Sequence, residues 1–466
     1  LTSTIRSTQR LDPGDRNRCR LFWQSLLLTL LMSGLLAPVA IAQPVSADIT
    51  DRDSIPMPED FSQVRFYLIT VDVGNHVWDN FGHTALRVVD DASNTDLIFN
   101  WGLFDTSVGL VRFGLNFFRG IMEYQLGVAP SDWELSRYQR EQRTVWQDRI
   151  NLTESQKRVL YQRLSWNLRA ENVVYDYDYF FDNCTTRVRD YLDEAMGGAI
   201  AEQSRHFVPR SFRDEVFSHY RSLPVIALSL DVMMNSNVDQ RMTQWQQMFL
   251  PLSLREHLRN TASDVTVGGQ RLSVLSDEQV LVQFSPPQTQ PNPYYLAGGL
   301  MLPVLLLLLM VRRVSIAAFG SEPGFTLAAP GISYRLLGLV ALLIALFSGV
   351  YGIIMTVGWL FSGHADLYEN INLLLFWPTD IIGVWFALHW MLRGRSYAIG
   401  TGKHQLISLY LWLHVLAALV YLVMGLFGLT GQRVGSLMLF VVPLLLLFTT
   451  LVAVAGLRPV RAIRFG

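Results

Sequence analysis

The chain has 466 residues, half of them hydrophobic and 17% charged, with two cysteines and a net charge of −1. An ordinary soluble domain is about 25% charged, so a plain cytosolic enzyme is excluded and a membrane protein with a soluble part is favoured. The balance of 38 basic against 39 acidic residues argues against a nucleic-acid partner. Two cysteines exclude a disulfide scaffold and a cysteine-built zinc site.

Residues 1–42 read as a signal region. Arg16, Arg18 and Arg20 precede the apolar Leu21–Leu36, and Ala40-Ile41-Ala42 is a small-x-small cleavage pattern before Gln43. Residues 43–60 are rich in Pro and Asp and read as a linker. From 61 to 284 the chain is soluble in character, and a Pro-rich linker at 285–293 ends that stretch.

Within the soluble stretch, Val64–Val73 is rich in strand formers and precedes a turn at Gly74-Asn75. Gly82–Val89 and Leu97–Trp101 read as a hairpin across Asp90–Asp96. Residues 110–128 carry Phe113, Phe117, Phe118, Ile121 and Met122 at helical spacing. Such a stripe reads first as core packing, and second as an acyl groove or headgroup contact with Arg112 and Arg119. Val145–Leu152 alternates like a strand, and Thr153-Glu-Ser-Gln156 is a capping box opening a helix. Val173–Phe181 is tyrosine-rich and extended. A further helix is expected from Cys184, with Val188, Tyr191, Leu192 and Ala195 on one face and Gly197-Gly198 as its stop. The fold class expected for this region is α+β.

Residues 294–466 read as an all-α membrane domain. Five apolar runs, at 295–311, 334–361, 371–392, 406–429 and 434–457, approach the roughly 20 residues a spanning helix needs. Arg312, Arg313, Arg335, Arg393, Arg395, Lys403, Arg458, Arg461 and Arg464 flank the first and third connections and the last run. Basic loops stay cytoplasmic, so the soluble region is expected outside, in agreement with the signal.

Cys19 falls in the signal region, which leaves Cys184 as the one thiol expected outside. A lone thiol there is either a small buried hydrophobe or a nucleophile. Asp182-Asn183-Cys184-Thr185-Thr186 is polar and sits where a helix begins, where unpaired N–H groups and the helix dipole favour a thiolate. Among His76, His83, His206, His219 and His257, His83 is the best candidate base, since it opens a strand and rigid elements hold catalytic geometry. Asn100, across the hairpin, is placed to orient the imidazole, as in a Cys-His-Asn set. His76 is a reserve in a loop.

Phe81-Gly-His-Thr-Ala-Leu-Arg-Val88, Asn100-Trp-Gly-Leu-Phe104, Tyr175-Asp-Tyr-Asp178 and Asp182-Asn-Cys-Thr-Thr-Arg187 resemble the N-terminal periplasmic domain of the Lnb family of bacterial lipoprotein N-acyltransferases. Met248-Phe-Leu-Pro251 and His364 through Asn372–Pro378 resemble that family's later motifs. The resemblance implies His83 as base and Cys184 as nucleophile. It also implies a phospholipid acyl donor, a lipoprotein or other amine acceptor, and a multi-pass protein of the bacterial inner membrane with its catalytic domain in the periplasm. The motif order is similar too to the permuted papain-like fold of lecithin:retinol acyltransferases, where a second His stands in place of Asn100. The outward loop bearing His364, Asp366, Glu369, Asn370 and Asn372 is expected, on the family likeness, to contact headgroup or lipoprotein through His364, Asn370 and Asn372.

No metal and no cofactor are expected. His389, His404 and His414 lie in or beside apolar runs without clear paired haem ligands at matching depth. Two other readings remain open: a thiol amidase or peptidase of the NlpC type acting on the cell envelope, and a non-enzymatic envelope module.

Overall fold

The computed structural model describes residues 55–104, 110–315, 324–453 and 457–460. The signal region and most of the first linker lie outside the described residues.

Alternating β-branched and aromatic residues build a seven-stranded antiparallel sheet from β1 (Val64–Val71), β2 (His83–Asp90), β3 (Thr95–Leu103), β4 (Glu123–Pro130), β5 (Val145–Ile150), β6 (Val174–Asp176) and β7 (Leu275–Val282). Their spatial order is β7-β5-β1-β2-β3-β4-β6. The β2–β3 hairpin pairs Ala85 with Asn100 and Asp90 with Thr95, as the sequence suggests. The expected helix over 110–128 stops early: α1 is Leu110–Arg119, and Glu123–Pro130 joins β3 as a strand. Gly120 ends the helix with a positive φ of 77°, a conformation glycine adopts freely.

Side chains alternate between the two faces of the sheet. Phe66, Leu68, Leu86, Val88, Phe99 and Trp101 are buried on one face with residues of α3 (Glu154–Asn167) and α4 (Cys184–Ala195). Ile69, Val71, Ala85 and Ile98 pack on the other with Tyr138 of α2 (Ser131–Arg140). Burying each large apolar side chain contributes about 1.5–3 kcal/mol, so the sheet is held from both sides. The cap at Thr153 forms as its sequence pattern predicts, with Gln156 reciprocating.

The second half is apolar and helical. α5 (Tyr294–Leu309) is short, whereas α6 (Pro330–Phe361) and α7 (Thr401–Leu426) are long and apolar enough to cross a membrane. Ala365–Leu374 and Pro378–Arg393 form a pair bent by 62°, which counts as a third span if the two are one broken helix. Leu437–Leu451 is a further short apolar helix. The five expected runs thus correspond to two full-length helices, one broken pair and two shorter helices. The break passes against α6 at glycine: a Cβ on Gly352 would come 2.5 Å from the Trp377 carbonyl carbon, so no larger residue fits without movement.

The soluble part is bolted to the helical part through buried polar groups. Arg213, 1% exposed, bonds Asp239 at 2.6 Å and Asp231 at 3.2 Å, while Tyr294 at the start of α5 donates to Asp231 at 2.6 Å. A guanidinium removed from water requires this number of partners, because an unpaired buried charge is far costlier than a paired one.

Candidate active site

His83 owes its position to the residue before it. Gly82 has φ +81°, and a Cβ there would lie 2.6 Å from the Val71 carbonyl oxygen. Only glycine enters the strand at this angle, and the Pro251 ring, 3.5 Å from the same point, closes the other side. The loop leading in is fixed by buried Arg143, which donates to the Asp72 carbonyl at 2.9 Å and to Asp79 at 3.2 Å.

The structure joins two of the three expected site residues directly. His83 Nε2 lies 3.0 Å from Asn100 Oδ1 across the hairpin. An amide oxygen accepts, so Nε2 carries the proton and Nδ1 is the basic nitrogen. The hydroxyl of Tyr138 donates to the same Asn100 oxygen at 3.1 Å, and its ring stands 6.3 Å from the imidazole. Tyr138 is fully buried, and nothing in the sequence pattern singled it out; it becomes visible only once α2 is laid on the sheet. Among the described residues, Asn100 Nδ2 is buried with no hydrogen-bond partner, an arrangement that is costly and rare in native proteins.

Cys184 is the first residue of α4, as expected, and Asn183 caps that helix. The Asn183 oxygen accepts from Thr185 N–H at 2.8 Å and Thr186 N–H at 2.9 Å. Its amide donates to the Tyr179 and Phe249 carbonyls at 2.9 and 3.0 Å. The Met248–Pro251 segment therefore supports both the residue before Cys184 and the residue before His83.

The thiol reaches the sheet at the start of β2, against the backbone of Thr84. Backbone N–H of Thr84, the residue after His83, bonds the Cys184 sulfur, and the hydroxyls of Thr84 and Thr185 meet at 3.1 Å. This approach is possible because β3 bends away. The β2–β3 ladder closes with Ala85 opposite Asn100, and the β3–β4 register slips between Asn100 and Leu103. Gly102, inside that slip with φ +92°, would bring a Cβ within 3.7 Å of the Cys184 Cβ.

Electrostatics correct one expectation. The thiol is pushed up from its ordinary 9.0 by burial; Thr84 N–H, the Thr185 hydroxyl and the charge of Arg143 pull it down, but not enough. His83 is lowered to about 3, first by burial and then by Arg137 and Arg143, with the Asn100 bond opposing. The resting pair is a neutral thiol and a neutral imidazole, and the helix terminus does not by itself make a thiolate.

The other histidines are engaged elsewhere. His76 is exposed and stacks on Trp78, His219 bonds the Glu215 carbonyl at 2.8 Å, and His257 contacts Gln247 at 3.2 Å. His364 meets the soluble domain: its Nε2 donates to the Phe117 carbonyl at 2.6 Å, and its ring lies between Phe117 and Tyr179. The amides expected to meet substrate at Asn370 and Asn372 are instead paired inside the protein. Asn370 donates to the Met233 carbonyl at 2.7 Å and Asn372 to the Val232 carbonyl at 2.8 Å, with Tyr421 on the Asn372 oxygen at 2.8 Å. Both side chains are buried, and they tie the 232–234 turn to the loop before the broken helix.

Comparison with curated proteins finds no match, and comparison with solved structures finds none either. Apolar helices of membrane-crossing length point to membrane association. Residues 59–215 match the family model described as the Lnb N-terminal periplasmic domain, and that match supports placing this region in the Lnb family.

Proposed function

We propose that this protein is a membrane-tethered cysteine acyltransferase that moves an acyl chain from a phospholipid to the N-terminal amine of a lipoprotein. The observation that carries the reading is the His83–Asn100 bond of 3.0 Å, with the Cys184 sulfur held on the backbone of the next residue, Thr84. A thiol, a base and an orienting amide in this order are what covalent acyl transfer requires.

The first half-reaction begins with attack of the Cys184 sulfur on the ester carbonyl as the thiol proton passes to His83 Nδ1. The carbonyl C–O bond breaks, and the imidazolium returns its proton to the departing lysophospholipid oxygen. In the second half, an amine attacks the thioester carbonyl and gives its proton to His83. The C–S bond breaks, the amide remains on the acceptor, and the proton returns to the Cys184 sulfur. Asn100 holds the imidazole with Nε2 protonated throughout. His364 stands at the membrane-side edge of the site as a contact for donor or acceptor, while Asn370 and Asn372 contribute by holding the loop that carries it.

The test is incubation of the full chain in vesicles of phospholipid with radiolabelled acyl chains. A hydroxylamine-sensitive label on the protein, absent in Cys184→Ala and His83→Ala, supports the reading. Mass spectrometry of lipoprotein N-termini should show the added acyl group only with the unsubstituted chain. Absence of label together with cleavage of cell-wall peptides would replace transfer by amidase chemistry.

A further inference from the structure

Helix α1 is an unusual element for a soluble domain, because large apolar side chains on it are exposed. Leu115 is 58% exposed and Phe117 42%, and Ile121, just past the helix, is 43% exposed. Arg112 and Arg119 are exposed as well and occupy, with Asn116, one narrow sector of the ten-residue helix. Of the expected stripe, Met122 is buried in the core, whereas Phe117 and Ile121 are exposed, so core packing accounts for only part of it. A helix this short is marginal in water on its own, so both its ends and its apolar sector need partners.

Its C-terminal end has them, several of them from the membrane part. The last four carbonyls of an α-helix lack intrahelical partners. Here Ile121 N–H meets the Asn116 carbonyl and Gly120 N–H the Phe117 carbonyl, both at 2.9 Å, and the membrane part supplies the other donors. Ser362 Oγ donates to the Phe118 carbonyl at 2.5 Å, Gly363 N–H to the Arg119 carbonyl at 3.0 Å, and His364 Nε2 to the Phe117 carbonyl at 2.6 Å. The two backbones touch at paired glycines: a Cβ on Gly120 would lie 2.9 Å from the Gly363 Cα. Residues 362–364 directly follow α6, whose final turn ends in exposed Trp359, Leu360 and Phe361. A spanning helix carries aromatic side chains where it leaves the hydrocarbon. The clasp therefore holds the C-terminal end of α1 at the level where α6 ends.

We infer that α1 is an interfacial helix that lies on the phospholipid bilayer around α6, with Leu115, Phe117 and Ile121 in the boundary between headgroups and acyl chains and Arg112 and Arg119 among anionic headgroups. Leu115 and Phe117 sit on the two flanks of a broad apolar arc that leaves Arg112, Asn116 and Arg119 in one narrow sector, the division of faces such helices use. The inference requires that α6 crosses a membrane and is independent of acyl-transfer chemistry. It also has a consequence for the site: α1 is the excursion between β3, which carries Gly102 against Cys184, and β4, so lipid bound there sits at the edge nearest the thiol.

The test uses the full chain with Cys19→Ser and Cys184→Ser, carrying one new cysteine bearing a nitroxide, in vesicles of phosphatidylethanolamine and phosphatidylglycerol. Labels go on Leu115→Cys, Phe117→Cys and Ile121→Cys, with Val267→Cys on the exposed 262–273 hairpin as reference. Collision with oxygen relative to a water-soluble nickel chelate should be at least about twofold higher at the three α1 positions than at 267. Ratios at 115, 117 and 121 equal to that at 267 would overturn the inference. The Ile121 label lies outside the helix, so it keeps the test decisive if a substitution within α1 perturbs the helix itself. Loss of acyl transfer alone would leave these ratios unchanged, which separates this inference from the proposed reaction.

Discussion

Tyr138 Oη lies 3.1 Å from Asn100 Oδ1, the same oxygen that accepts from His83 Nε2 at 3.0 Å. One amide oxygen with two donors is pinned in direction, and the imidazole it holds is pinned with it. The phenol thus acts on the base at one remove, from a helix on the opposite face of the sheet from α4.

Tyr138→Phe removes one donor and leaves the ring. A single net hydrogen bond is worth about 0.5–1.5 kcal/mol, so thioester formation should slow about two- to tenfold with little change in substrate KM. Asn100→Ala removes the acceptor itself and should cost more, with Asn100→Asp retaining part of the rate. Equal rates for wild type and Tyr138→Phe in single-turnover labelling would remove Tyr138 from this role.

The pH behaviour of the thiol follows from its surroundings. Its pKa is raised above 9.0, so the neutral form dominates at neutral pH and at most about 1% is thiolate at pH 7. Each unit of pH below that pKa multiplies the thiolate tenfold. Alkylation of Cys184 by iodoacetamide, followed on its tryptic peptide, should therefore climb steadily from pH 6 to pH 9. With His83 lowered to about 3, no inflection is expected near 6.5. A plateau between pH 5 and 8 would mean a thiolate–imidazolium pair instead.

Gly82→Ala forces a Cβ to within 2.6 Å of the Val71 carbonyl at a φ of +81°. Strain of this kind costs about 1–3 kcal/mol, and relief would shift His83 away from Asn100. The thermal midpoint of the purified chain should fall, and labelling of Cys184 by acyl donor should fall further. Gly299→Ala, whose Cβ meets no atom within 4 Å in α5, serves as the control and should not lower the midpoint.

Arg213→Ala leaves Asp231 and Asp239 without their shared cation in a buried junction. Breaking a buried pair this way is expected to cost about 3–5 kcal/mol. Limited proteolysis near 231–239, absent in wild type, should appear in the variant. Unchanged protease resistance and thermal midpoint would contradict the anchoring role.

Much of the site was legible because its determinants are local. The caps at Thr153 and Asn183 are written in three or four adjacent residues, since capping joins a side chain to backbone N–H groups one turn away. The β2–β3 hairpin and the start of α4 at Cys184 follow from strand alternation and from that cap, and with them comes the candidate trio of Cys184, His83 and Asn100. The five apolar runs are equally local, because hydropathy over a window needs no partner.

What the sequence by itself determined, then, is which residues could do chemistry and which segments are apolar. Only the tertiary structure decided what those residues experience. Glu123–Pro130 became a strand because β3 offered it a ladder, although its neighbours carry a helical stripe. Tyr138 joined the site through the packing of α2, and Asn370 and Asn372 turned inward onto the Val232–Met234 carbonyls. The thiol pKa rose because burial outweighs the donors around it. Pairing, burial and desolvation depend on residues distant in the chain, and no local pattern records them.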